Sequence, residues 1–204
     1  SLRKRWQSIN SRSGLPSPVV MEITRTLLST VAYLHSLGLV HRDIKPSNIM
    51  MTKLGLAKLG DFGFVKSQLD KELGAEGMVL GTPDYIAPEQ AMGKPTVDYR
   101  ADIYALGCSF FHMLTGRPPF EGRPSEVMLK HTREDIPNIK ELRPSLSDDV
   151  VTVIDKMLAK NPDDRYSNLN ILFTDLERLL ATHRAKAPMR VEVGKSSALR
   201  ALKM

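Results

Sequence analysis

The stretch His41-Arg42-Asp43-Ile44-Lys45-Pro46-Ser47-Asn48, followed thirteen residues after Asn48 by Asp61-Phe62-Gly63, decides how the rest of this chain is read. Transfer of a phosphoryl group from a metal–nucleotide complex asks little covalent chemistry of a protein. It asks for a carboxylate to orient the attacking hydroxyl, a cation near the transferred group, and oxygen ligands for the metal. Asp43, Lys45, Asn48 and Asp61 are of those types, in that order. At ~5% usage per residue type, His, Arg, Asp, Lys and Asn at five fixed positions arise by chance in roughly one of 10⁴ chains of this length. The linked pair of motifs is therefore a specific signal, where His-Arg-Asp alone is a weak one.

These motifs resemble the catalytic loop and metal-binding turn of eukaryotic-type (Hanks-type) Ser/Thr protein kinases. A third segment, Gly81-Thr82-Pro83-Asp84-Tyr85-Ile86-Ala87-Pro88-Glu89, resembles the family's substrate-binding loop. Asp102 in Asp102-Ile103-Tyr104-Ala105-Leu106-Gly107 and Arg165 in Asn161-Pro162-Asp163-Asp164-Arg165-Tyr166 fall at family positions too. Gln90, and Leu114-Thr115-Gly116-Arg117-Pro118-Pro119-Phe120, are most similar to the bacterial branch. Lys45 together with Gly81-Thr82 points to Ser/Thr substrates, since Tyr-specific relatives do not normally carry Lys at that position.

The resemblance implies a role for each residue. Asp43 orients the substrate hydroxyl, and Lys45 offsets charge on the transferred group. Asn48 and Asp61 are the Mg²⁺ (or Mn²⁺) ligands, with ATP as the phosphoryl donor. Ile49 and Met50 form the floor under the adenine ring, where a polarisable Met suits a flat ligand. Thr82 bonds Asp43 and Lys45 and ties the substrate loop to the catalytic loop. Phe62 packs on His41, and Gly63 lets the backbone turn. Glu89 and Arg165 form a buried ion pair in the two-pronged geometry that favours Arg. Asp102 accepts hydrogen bonds from the catalytic-loop backbone.

Arg42 is, by the same resemblance, the receiver for a phosphorylated activation-loop residue. Yet between Val65 and Leu80 the only hydroxyl residue is Ser67, and five residues before Gly81 stands Glu76. Glu76, or its neighbour Glu72, is expected to pair with Arg42 without phosphorylation, with about half the charge of a phosphate. The alternative is a solvated Glu in a Gly-rich loop.

No Gly-x-Gly-x-x-Gly occurs in these residues, and no Lys-bearing strand precedes the catalytic loop. Only forty residues stand before His41, too few for the family's N-terminal lobe and the helix that follows it. The expectation is a C-terminal kinase lobe cut near the hinge over residues 1–181, with 182–204 a basic linker or the start of a downstream region. Its own N-terminal lobe is then a required partner, the piece alone is inactive, and the partners of the complete kinase are protein substrates bearing Ser or Thr. Pairing of two copies as a homodimer is common among such kinases. The rival reading is a non-catalytic protein-binding module derived from a kinase lobe.

The pattern predicts a mainly α fold, a helical bundle with short β-hairpins at the catalytic and metal-binding loops. Pro16-Ser17-Pro18 opens a helix, since Pro suits a first turn with no N–H partner. Ile23, Leu27, Val31 and Leu34 carry it to about Leu37, and Gly38 ends it in a left-handed cap. Ile49–Met51 and Ala57–Leu59 read as strands around a turn at Gly55. Asp98 to Thr115 reads as the central buried helix, with Ile103, Leu106, Phe110, Met113 and Leu114 lining one face. Further helices are expected near Ser125 to His131, after a Ser147 cap, and from Ser167 to Ala181. Ser1 to Ser11, with Trp6, reads as a short helix and loop.

Lys and Arg outnumber Asp and Glu by 29 to 23, but the charges are mixed along most of the chain, which argues against a nucleic-acid partner. A single cysteine, Cys108, allows no internal disulfide and fits a cytoplasmic setting, with any membrane tether in segments outside these residues. Cys108 and His112 stand four apart on the central helix, but two ligands make no zinc site, and both read as core.

Overall fold

The computed structural model describes residues 14–52, 54, 56–62, 66, 67 and 82–186, with only the backbone described at 66, 67 and 186. Trp6, Gly55, Gly63, Glu72, Glu76 and Gly81 lie outside the described residues, as does the basic stretch after Lys186.

Pro16 precedes the first helix, α1 (Ser17–Ser36), with a second proline in its first turn. Val20, Ile23, Leu27, Val31 and Leu34, joined by Met21, Thr24 and Leu28, give it a buried face about two side chains wide. The N–H groups of Leu37 and Gly38 bond back to the carbonyls of Leu34 and His35, and Gly38 adopts φ 71°. The left-handed cap expected at Gly38 is present. The chain then runs through β1 (Leu39–Val40) into the catalytic loop, a single 3₁₀ turn (Pro46–Asn48) and β2 (Ile49–Met51).

Strand β2 pairs antiparallel with β3 (Ala57–Leu59), setting Met50 opposite Lys58. A second ribbon, not anticipated, pairs β1 with β4 (Lys66–Ser67). Two-residue strands carry no readable alternation, so the sequence offers no signal for them. The substrate-loop segment forms a 3₁₀ turn (Pro83–Tyr85) leading into a one-turn helix, α2 (Pro88–Ala91).

The central helix, α3 (Arg100–Thr115), starts two residues later than expected and ends at Gly116, φ 83°. The central buried helix anticipated from sequence is present, with 14 of its 16 residues buried. The five apolar positions named from sequence mark only part of a helix that is packed nearly all round. Close approach explains Gly107, since a Cβ there would stand 2.9 Å from Met157 Cβ and 3.0 Å from Leu158 Cδ2.

After α3 come α4 (Pro124–Arg133), a short α5 (Ile139–Leu142), α6 (Asp148–Met157) and α7 (Leu169–Lys186). Ser147 occupies the N-cap position of α6, but its hydroxyl makes no capping bond; Asp148 and Asp149 face the positive end of the helix instead. Leu169, Leu172, Leu176, Leu179 and Leu180 bury the inner face of α7 against α1, and the helix runs five residues past Ala181. Among the described residues no helix is long and apolar enough to cross a membrane.

Candidate active site

The catalytic loop is pinned from beneath by a buried carboxylate. Asp102, in the first turn of α3 and fully buried, accepts the N–H of His41 on Oδ2 and the N–H of Arg42 on Oδ1, both at 2.8 Å. Between those bonds the backbone turns sharply, with Arg42 at φ 67°, a region costly for a residue with a Cβ. That turn carries Asp43 to the rim of the core, where it is 3% exposed.

Asp43 is the hub of a polar cluster. Its Oδ1 accepts the Thr82 hydroxyl at 2.8 Å, and its Oδ2 lies 2.6 Å from Lys45 Nζ. Lys45 also donates to Thr82 Oγ1 at 2.6 Å, closing a three-membered ring of bonds between catalytic loop and substrate loop. The Asn48 amide nitrogen reaches both the Asp43 carbonyl, at 2.9 Å, and Asp43 Oδ2, at 3.0 Å. Spending its nitrogen on Asp43 turns the Asn48 amide oxygen to the other side.

Asp61 is brought to the same region through its neighbour, since the Gly60 N–H bonds the Asn48 carbonyl at 2.9 Å. Asp61 adopts φ 62° and its side chain is exposed. Phe62 rests against His41 with ring centroids 5.4 Å apart. His41 itself is wholly buried, and desolvation pulls its pKa below the ordinary value while Asp102 and Asp43 push it back up. A neutral ring under Phe62, accepting the Asp43 N–H at 3.4 Å, is a packing element and suits no proton shuttle.

One assignment is corrected. Ile49 and Met50 cannot share a ligand-facing surface, because successive strand residues point to opposite faces. Ile49 is fully buried in the core, while Met50 is half exposed and its Cε lies over Gly60. Only Met50 is available as a flat floor.

Glu89 and Arg165 meet as a two-pronged pair, Nη1 to Oε1 at 2.7 Å and Nη2 to Oε2 at 2.8 Å, both side chains buried. Arg165 also donates to the carbonyls of Ala159, Arg100 and Lys160, so the guanidinium is a fastening point for α2, α3 and the turn before α7.

Sequence reasoning missed His35 and His131, and read His112 only as core. His35 Nε2 lies 2.8 Å from Asp102 Oδ2. His112 bonds the Tyr85 hydroxyl through Nδ1 at 2.7 Å, its ring stacked on Tyr85. His131 bonds the Tyr104 hydroxyl at 2.8 Å. Burial holds the pKa of both His112 and His131 down to about 4. Cys108 is a buried free thiol whose pKa burial pushes up, and no cluster of three or more metal-binding side chains occurs among the described residues.

The donor chemistry suits a hard divalent cation: Asn48 and Asp61 offer oxygens and nothing softer.

Residues 2–176 match the protein kinase domain family. The probable serine/threonine-protein kinase PknB of Corynebacterium glutamicum is 40% identical over 168 residues, covering 78% of this chain and 26% of that protein. PknB of Mycolicibacterium smegmatis is 38% identical over 171 residues, 82% of this chain and 27% of that protein. PksC of Streptomyces coelicolor is 33% identical over 194 residues, 94% of this chain and 35% of that protein. The chain thus spans about a quarter to a third of the length of these relatives. Its catalytic-loop geometry and these likenesses agree, and the chain belongs to the protein kinase family, in its Hanks-type bacterial Ser/Thr branch.

Proposed function

We propose that this chain forms the C-terminal catalytic lobe of a kinase that phosphorylates Ser and Thr hydroxyls on proteins, completed by an N-terminal lobe that supplies a Gly-rich loop and a strand Lys. The observation that carries the reading is the closed ring of Asp43, Lys45 and Thr82, with Asn48 bonded into it. That ring holds a carboxylate, a cation and a hard oxygen donor together in one place.

ATP with Mg²⁺ (or Mn²⁺) supplies the phosphoryl group when bound, and Asn48 and Asp61 would hold the metal. Asp43 accepts the hydrogen bond of the incoming hydroxyl and takes its proton late, which a loose transition state tolerates. Of the three N–H donors of Lys45, one goes to Asp43 and one to Thr82; the third can meet the developing charge on the transferred group. Thr82 keeps the substrate loop in register with Asp43. Met50 offers its exposed thioether to the nucleotide base. A cytoplasmic setting for this lobe, pairing of two copies, and partner proteins bearing Ser or Thr belong to the same proposal.

The test is phosphate transfer from labelled ATP to a Ser/Thr peptide library by the full-length protein containing this chain. Transfer should fall at least ~10²-fold in Asp43→Asn, and residues 1–204 alone should give negligible turnover. Equal, background-level labelling by the wild-type and Asp43→Asn proteins would overturn the reading in favour of a binding module.

A further inference from the structure

A Ser or Thr hydroxyl inside a helix has a ready acceptor in the carbonyl one turn back. Thr26, Thr152, Thr174 and Thr182 use it, each donating to the carbonyl four residues earlier in its own helix. Ser109, in the middle of α3 and fully buried, does not. Its hydroxyl leaves the helix and donates to the carbonyl of Ile44 at 3.3 Å. Ile44 lies 65 residues earlier, between Asp43 and Lys45. No step above uses Ser109.

Ile44 is itself wholly buried, so its carbonyl has no water to turn to. Among the described residues the Ser109 hydroxyl is the one donor to that carbonyl. A buried carbonyl without a donor is costly, so the bond holds the Ile44 peptide in this orientation. The Ile44 carbonyl and the Lys45 N–H belong to one planar unit. Fixing the carbonyl therefore fixes the plane from which the Lys45 backbone sets out. Lys45 is extended there, φ −155° and ψ 158°, and from that start its Nζ reaches Asp43 Oδ2 and Thr82 Oγ1, each at 2.6 Å. On the other side of Ile44, the Asp43 carboxylate has Thr82 and Asn48 to hold it. The aim of Lys45 depends more on its own backbone.

We propose that Ser109 is a positioning residue for Lys45, acting through the Ile44 carbonyl to set the direction in which the lysine approaches Asp43 and Thr82. What this does to turnover rests on the kinase reading; the bond itself does not.

The experiment is a double-variant cycle of Ser109→Ala and Lys45→Ala in the full-length protein, read by steady-state kinetics. It is joined by the carbonyl-carbon NMR resonance of Ile44, selected by labelling the carbonyl of Ile and the nitrogen of Lys. Ile139, which also precedes a lysine, is the internal reference. In Ser109→Ala the Ile44 resonance should move upfield, as for a carbonyl that has lost its donor, while that of Ile139 stays. Turnover, kcat, should fall about fivefold, the size of one neutral hydrogen bond, with KM for peptide and ATP little changed. In the Lys45→Ala background the same substitution should change kcat no further. An unmoved Ile44 resonance would overturn the proposal at the bond. Equal fold-losses with and without Lys45, or a loss carried by KM, would overturn it at the lysine. Movement of the Ile139 resonance as well would mark a general loosening of the fold and sink it too. If the wild-type protein transfers no phosphate, the kinase reading fails, and the Ile44 resonance still decides whether Ser109 holds the peptide.

Discussion

The Thr82 hydroxyl donates to Asp43 Oδ1 at 2.8 Å and accepts from Lys45 Nζ at 2.6 Å, joining two loops that are 39 residues apart in sequence at the candidate catalytic carboxylate. Thr82→Val keeps the shape and removes both bonds. Bonds to charged groups contribute about 1.5–3 kcal/mol each, so kcat should drop roughly 10- to 100-fold. Thr82→Ser keeps the hydroxyl and should stay near wild type. A valine variant with unaltered kcat would show that the loops do not need this tie.

Breaking the Glu89–Arg165 pair from one side should be far worse than removing both charges. Glu89→Leu leaves a guanidinium buried without its carboxylate, at a cost of about 3–5 kcal/mol. The double variant Glu89→Leu/Arg165→Met should lose less than the sum of the singles, because no uncompensated charge remains. Urea midpoints of the four proteins in this cycle measure the coupling directly. Additive losses would mean that the two side chains act independently.

Acid should destabilise the fold well above the range in which most carboxylates titrate. His112 and His131 titrate at about 4 in the folded protein, whereas a free histidine does so near 6.5. Between those values the unfolded chain binds protons that the folded chain refuses. Stability is therefore fully present above pH ~6.5 and falls as pH drops toward 4, by up to ~3 kcal/mol per histidine. His131→Gln should reduce the slope of stability against pH in that window by about one proton's worth, ~1.4 kcal/mol per pH unit. An unchanged slope would show that His131 charges as readily in the folded chain as outside it.

Gly107→Ala tests the tightest helix contact. Alanine favours a helix over glycine by about 1 kcal/mol, but its Cβ would meet Met157 Cβ at 2.9 Å. Overpacking of that kind costs about 1–3 kcal/mol, so the net effect should be a lower melting temperature. A raised melting temperature would mean that α6 gives way easily.

The residues that gather at the site were legible because they lie in short linear motifs whose spacing the chemistry constrains. Asp43, Lys45 and Asn48 lie within six consecutive residues, and the structure brings them together. His35 was not legible, since a histidine in the last turn of an amphipathic helix looks the same whether it meets a carboxylate or water. The register His35-to-His41 says nothing about Asp102, 67 residues away. Helix α3 was read as the central buried helix, but only five positions on one of its faces were named, and the packing of Gly107 and Ser109 carried no apolar signal. Period alone cannot separate a helix with one wet face from one enclosed by neighbours. The Ile49 assignment failed for the opposite reason: a two-residue likeness was applied without the alternation that a strand imposes.

Enclosure of α3 has a consequence for synthesis. Its partners Met157 and Leu158 are encoded well after Thr115, so the helix leaves the ribosome with the side at Gly107 uncovered. At ~5–20 residues per second, the stretch from Thr115 to Leu158 takes roughly two to nine seconds to appear. During that interval the residues around Gly107 are left without that cover. These residues form the segment a nascent-chain chaperone should hold, and a truncation before Leu158 should aggregate rather than fold.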